Sequence, residues 1–325
     1  MSNRIYTTIY QLKGINSFSE IEKWCKKEFN SPVKHSKRHQ EEFNKLSANE
    51  RFYKYKWIYF SQIQTLPIVI GGNDISFIEA RAEIEYAKRK IFDNNQYLPK
   101  KDRLNTEDID VIFFELDKNF YVVIQTSNIN QIGRILNLIG TEYIKGQEWI
   151  LSGDLFNWLV YLYSEKDGKL NSKIEITSIS GFTGTVFVNE NIVSGKSMEA
   201  IDLIATRAFI STGGNLEEVS IFLKDSDNCS ISCKLDSHCG ALIYVNDSEF
   251  LTHPNGLEKN ENLILYIYTY LIPILREAFC NNKSKFRLEK VEFAKKIGID
   301  VIKEIIKENK IKLDELSSVE DNEET

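Results

Sequence analysis

Between Arg51 and Phe60 three cations, Arg51, Lys54 and Lys56, are interleaved with Phe52, Tyr53, Tyr55, Trp57, Tyr59 and Phe60. Bases stack on aromatic rings and Lys or Arg neutralises phosphates, so this alternation suits contact with nucleic acid. His35, Lys37, Arg38 and His39 lie upstream, and Lys88, Arg89, Lys90, Lys100, Lys101 and Arg103 lie downstream. The expected nucleic-acid-binding set is Lys37, Arg38, Arg51, Lys54, Lys56, Arg89 and Lys101. The competing reading is an amphipathic strand. Phe52, Lys54 and Lys56 then share one face, Tyr53, Tyr55, Trp57 and Tyr59 form ordinary core on the other, and the lysines are merely solvated.

Other chemistry-bearing groups fit their motifs less well. Cys229, Cys233 and Cys239 with His238 and His253 lack the paired spacing of a structural zinc site. Cys229, Ile231, Cys233 and Leu235 would share one strand face, where a thiol behaves as a small hydrophobe. His35 and His39 stand four apart with Lys37 and Arg38 between them, and two cations oppose a bound divalent ion. Gly195-Lys196-Ser197 resembles the end of a phosphate-binding loop, but Glu190 occupies the position that needs glycine. Ser197 is expected to be a helix N-cap instead. Gly181 and Gly184 have GxxG spacing between strands, not between helices. Asp108, Asp110, Glu115, Asp117 and Lys118 crowd one hairpin in an order unlike that of a metal-dependent nuclease. No metal and no cofactor are expected.

The chain has 325 residues, 42% hydrophobic and 27% charged, with a net charge of -6. Five cysteines at low density fit reduced thiols, and the opening residues lack a secretory h-region. Leu263–Leu275 carries three tyrosines, a threonine and Pro273, and reads as too short and polar to span a bilayer. A cytoplasmic location without a membrane partner is expected. Charge is uneven: residues 1–103 hold 19 Lys and Arg against 12 Asp and Glu, whereas Asp314–Thr325 holds six acids and no base. A cationic region on an anionic chain points to a localised anion partner.

Along the chain, strand is expected over Ile5–Leu12, helix from Ser17 or Ser19 to about Phe29, helix over Ser36–Leu46, strand over Leu66–Ile70 and helix over Ser76–Asp93. Asn94–Thr106 reads as a linker. Ile109–Leu116 and Phe120–Thr126 form a hairpin. Helices follow over Asn128–Ile139, stopped by Gly140, and over Asp154–Tyr163, capped by Asp154. Strands Ile174–Ile179 and Gly184–Val188 flank Gly181, and a helix spans Ser197–Phe209. A meander covers Val219–Leu223, Cys229–Leu235 and Ala241–Val245. Two helices, Glu261–Cys280 and Arg287–Asn309, precede a disordered tail.

This order lacks the β-α-β rhythm of a doubly wound sheet, so the expected class is α+β with mainly antiparallel strands. The expected parts are a basic, aromatic-rich domain (1–100), an α+β domain (105–255), a helical part (256–313) and an acidic tail (314–325). The functional expectation is a non-enzymatic, bacterial nucleic-acid-contacting module, of the kind found in phage-defence or mobile-element systems. The alternatives are a protein–protein adaptor using the C-terminal helices and a degenerate metal-dependent nuclease using Asp110 and Glu115.

Overall fold

From Ile78 to Ile84 apolar and charged residues alternate strictly. In a computed structural model of the chain that alternation makes a strand, where a helix was expected over Ser76–Asp93. Ile78, Ala80, Ala82 and Ile84 are buried, and Glu79, Arg81 and Glu83 face outward. The structure describes residues 4–66, 74–146, 151–186, 191–197, 200–251 and 259–312. The expected strand beyond Leu66, His253 and the acidic tail lie outside the described residues.

The protein is α+β and parts into two units: residues 5–149 with 254–261, and residues 1–4 with 150–253 and 262–325. The division along the chain falls at 149/150.

In the first unit the elements are β1 (Arg4–Leu12), α1 (Phe18–Trp24), β2 (Glu28–Pro32), α2 (Gln40–Lys45), β3 (Phe52–Phe60), β4 (Gln64–Leu66), β5 (Ile75–Ala87), β6 (Phe92–Asp93), β7 (Gln96–Tyr97), α3 (Lys100–Arg103), β8 (Leu104–Leu116), β9 (Asn119–Ile124), α4 (Ile129–Ile139) and β10 (Ile144–Gly146). The sheet order is β1-β9-β8-β5-β3-β2, with antiparallel neighbours. The stretch read as a linker carries the turn and second strand of the β6–β7 hairpin, α3 and the start of β8. Helix α1 stops at Trp24, since Glu28–Pro32 pairs with β3. The β8–β9 turn needs only Asp117 and Lys118, both at positive φ (50° and 64°), as a two-residue type I′ turn requires. Asn128 caps α4 by accepting from the Asn130 N–H, and Gly140 ends it at φ 107°. Ile21 and Trp24 of α1 and Ile132, Ile135 and Leu138 of α4 join one core with Tyr53, Tyr55, Trp57, Ala80 and Ala82 of the sheet. Tyr59 leaves that core. A register shift between Trp57 and Tyr59 turns it outward, to 52% exposure.

The second unit holds α5 (Gly153–Glu165), β11 (Ile174–Val186), β12 (Asn191–Lys196), α6 (Ile204–Ser211), β13 (Asn215–Asp225), β14 (Cys229–Asp236), β15 (Ala241–Tyr244), β16 (Glu249–Phe250), α7 (Lys259–Tyr266) and α8 (Ile272–Asn309). Its antiparallel sheet runs β12-β11-β13-β14-β15. The N-cap of α5 is Ser152, whose hydroxyl accepts from the Leu155 N–H, and not Asp154, which pairs with Lys290. One strand passes through Gly181 where two were expected, absorbing its irregularity in three register shifts against β13. Gly195-Lys196 ends β12, and the Ser197 N–H donates to the Ser180 carbonyl; the helix expected from Ser197 is α6, whose N-cap is Leu203. A Cβ on Gly195 would stand 2.6 Å from the Phe182 ring, so this glycine serves the strand pairing.

The two expected C-terminal helices are one. Helices α7 and α8 are joined by a π-helical turn, Ile267–Leu271, just ahead of Pro273, which cannot donate to the preceding turn. Lys259–Asn309 is long and apolar enough by length and composition to cross a membrane, and 61% of its most apolar window is buried inside the protein. Helix α8 packs on α5 and α6. Ion pairs Lys290–Asp154 (2.7 Å) and Lys296–Glu165 (2.8 Å), an Arg207–Glu304 pair and a hydrogen bond donated by the Tyr161 hydroxyl to Glu289 fasten it there.

Candidate nucleic-acid interface

The inner face of β3 is core, since Tyr53, Tyr55 and Trp57 are all buried. On its outer face Lys54 pairs with Glu28 of β2 at 3.2 Å, and Lys56 with Glu83 of β5 at 2.8 Å. Glu83 holds the Lys56 ammonium above its ordinary pKa by hydrogen bond and charge. Asp110 does the same for Arg81 from 2.6 Å. The outer face is therefore a checkerboard of paired charges, each pair exposed and weakly stabilising. Lys54 and Lys56 do not form a free cationic surface.

Arg51 is spent differently. Its Nε donates to the Leu46 carbonyl at 2.9 Å and its Nη2 to the Asn44 carbonyl at 2.7 Å, which satisfies the end of α2. Its guanidinium also lies over the Phe43 ring.

The remaining cations converge on a small lobe. Its parts are α2 with the preceding 3-10 turn Lys37–His39, the β6–β7 hairpin and α3. Asn94 and Asn95, at φ 48° and 62°, close the hairpin, and the rings of Phe92 and Tyr97 pack across it at 4.3 Å, tilted by 42°. His39 lies on Phe92 at 4.2 Å, and Phe43 meets Tyr97 edge-on at 6.4 Å. His35 stacks on Phe43 at 3.9 Å. Chain segments on either side of the hairpin run together, with the Lys88 N–H donating to the Arg103 carbonyl and the Leu98 N–H to the Ile91 carbonyl. Lys37 and Arg38 are thus brought to the same lobe as Lys88, Arg89, Lys100 and Lys101.

Beneath it Arg103 is fully buried. It donates to the Glu50 carbonyl and lies 5.3 Å over the Tyr97 ring, while its Nε and Nη1 have no hydrogen-bond partner among the described residues. Burial pushes the Tyr53 and Tyr97 hydroxyls above their ordinary pKa, against the pull of the Arg103 charge. Arg103 therefore adds fixed positive charge under the lobe without reaching solvent.

Residues 34–45 and 88–103 hold ten Lys and Arg against four Asp and Glu. Nearly the whole cationic surplus of residues 1–103 sits there. Lys34, Lys37, Arg38, Lys88, Arg89 and Lys101 are exposed and make no ion pair among the described residues, whereas Lys90 pairs with Asp93 and Lys100 with Glu85. Of the seven expected residues, Lys37, Arg38, Arg89 and Lys101 come together as free cations. Arg51, Lys54 and Lys56 are committed elsewhere. Lys34 and Lys88 were missing from the expected set, and nothing in local spacing distinguishes them from solvated lysines.

The nuclease pair separates. Asp110 and Glu115 are five residues apart on β8 and so project from opposite faces, with Asp110 held by Arg81. Among the described residues no three His, Cys, Asp or Glu side chains group as ligands of one ion. Cys229, Cys233 and Cys239 are buried, and burial pushes each thiol up to about 12, which leaves them protonated. No family model and no curated protein matches this chain.

Proposed function

We propose that the protein is a nucleic-acid-contacting module whose contact surface is the lobe formed by residues 34–45 and 88–103. The observation that carries this reading is the tilted ring cluster of His39, Phe92 and Tyr97, which holds two distant basic segments together. A cluster of exposed cations without internal partners presents its charge outward, and a polyanion releases condensed counterions on meeting it. The rings are used in packing the lobe, so the contact is directed at phosphates, not at base identity.

The test is titration of the full chain into labelled duplex and single-stranded DNA and RNA at several salt concentrations. If four to six cations each neutralise a phosphate, log K on duplex falls against log salt with a slope of about -4 to -5. Changing Lys37, Arg38, Arg89 and Lys101 together to Gln is expected to weaken binding at least tenfold and flatten that slope. Lys54→Gln with Lys56→Gln, which leaves the lobe intact, is expected to stay within about twofold of the parent. No binding at low salt, or a fourfold variant that binds like the parent, would remove the reading.

A further inference from the structure

Helix α8 carries two apolar stripes on opposite sides. Phe279, Phe286, Phe293, Ile297 and Val301 recur at spacings of seven and four and are buried against the second unit. Leu288, Val291, Ile299 and Ile302 fall on the other side at 100° per residue, and they are 83%, 71%, 42% and 57% exposed. Apolar side chains this exposed, on a helix whose core-facing stripe is already filled, form a face without a partner among the described residues.

The spacing of that face is symmetric. Relative to Lys295, the four residues stand at minus seven, minus four, plus four and plus seven. An isologous interface requires a surface that is complementary to itself under a two-fold rotation. We propose that this face pairs with a second copy of the chain, the two α8 helices antiparallel about an axis at Lys295. Leu288 then meets Ile302 of the second copy, and Val291 meets Ile299, in two equivalent sets of contacts. Lys295 at the centre lays its aliphatic stem along the apolar face, and its ammonium reaches Glu292 of the other copy, one helical turn away, about 4.5 Å along the axis. Neither Lys295 nor Glu292 forms an ion pair within its own chain among the described residues, so both are available for that contact. A single lysine within an apolar seam fixes register at the expense of affinity. Four aliphatic side chains per copy bury less than the roughly 1,200–2,000 Å² of a standard interface, so the dimer is expected to be weak and to form with rising protein concentration.

Sedimentation velocity on the full chain across a concentration series tests this. The parent protein is expected to shift from monomer to dimer, and Val291→Glu with Ile302→Glu to remain monomeric with an unchanged melting temperature, because both positions are exposed. A second measurement fixes the axis. With the exposed Cys280 changed to Ser, Lys295→Cys is expected to form an intermolecular disulfide under mild oxidation, since the two copies of that position face each other. Leu288→Cys alone is expected not to cross-link, and to do so only when mixed with Ile302→Cys. A parent protein that stays monomeric throughout, a dimer indifferent to the Val291 and Ile302 changes, or a dimer in which position 295 does not cross-link would each overturn the proposal.

Discussion

Asp225 shows how much a single buried side chain can hold. It is 1% exposed at the end of β13, and its oxygens accept from the Tyr266 hydroxyl at 2.7 Å, the Asn228 amide at 2.7 Å and the Asp227 N–H at 3.1 Å. A carboxylate taken out of water is tolerated only when its lone pairs are filled in this way. Burial, with help from Cys229 and Asp225, pushes the Tyr266 hydroxyl far above its ordinary pKa, so it remains a donor. The bond ties the β13–β14 turn to helix α7. Asp225→Ala leaves the Tyr266 hydroxyl buried without its acceptor, and is expected to lower stability by about 2–4 kcal/mol. Urea unfolding reads this as a lower midpoint at unchanged slope. A midpoint within error of the parent would mean that water or another group replaces the carboxylate without loss.

At the scale of elements, the ends of α2 decide whether Arg51 binds or builds. Two of its donors already serve the Asn44 and Leu46 carbonyls. Arg51→Ala is therefore expected to cost about 1–2 kcal/mol and to speed hydrogen exchange in α2. The salt slope of nucleic-acid binding should stay that of the parent, whereas a slope shallower by about one would place Arg51 on a phosphate. The same element scale separates what sequence could and could not disclose. The β8–β9 hairpin was legible because its turn chemistry is local. The strand β5 read as a helix because Ala, Glu, Arg and Lys favour helices, and here the period-two burial of Ile78, Ala80, Ala82 and Ile84 overrode that preference. The run in α8 from Asn281 to Lys285 looked like a break, yet Phe279, Phe286 and Phe293 carry the buried stripe across it every seven residues. The β3 lysines looked free because their partners, Glu28 and Glu83, are supplied by other strands at separations that no local pattern reveals. The lobe cations were legible as types, but their convergence depends on a ring contact between residues more than fifty apart in the chain.

Over the whole molecule, charge is sorted along the chain. A net charge of -6 coexists with a basic lobe, and the six acids of Asp314–Thr325 form the densest anionic stretch in the sequence. Such a stretch is chemically a poor polyphosphate, able to occupy the same cations that a nucleic acid would use. If it does so, the acidic stretch and nucleic acid compete for one surface, and removing residues 314–325 should strengthen binding several-fold at low salt. Screening sets the condition under which this is visible, because at about 0.1 M salt the Debye length is near 10 Å and both contacts weaken. The competing polyanion contact releases fewer counterions than a duplex does, so the gain should shrink as salt rises and vanish where the parent no longer binds. A uniform change in net charge would act differently. It would shift affinity by a small factor regardless of whether Lys37, Arg38, Arg89 and Lys101 are present. Combining the truncation with the fourfold Gln variant therefore distinguishes the two: if the tail acts on the lobe, truncation gains nothing once those four cations are gone, and if truncation helps equally in both backgrounds, the tail acts only through overall repulsion.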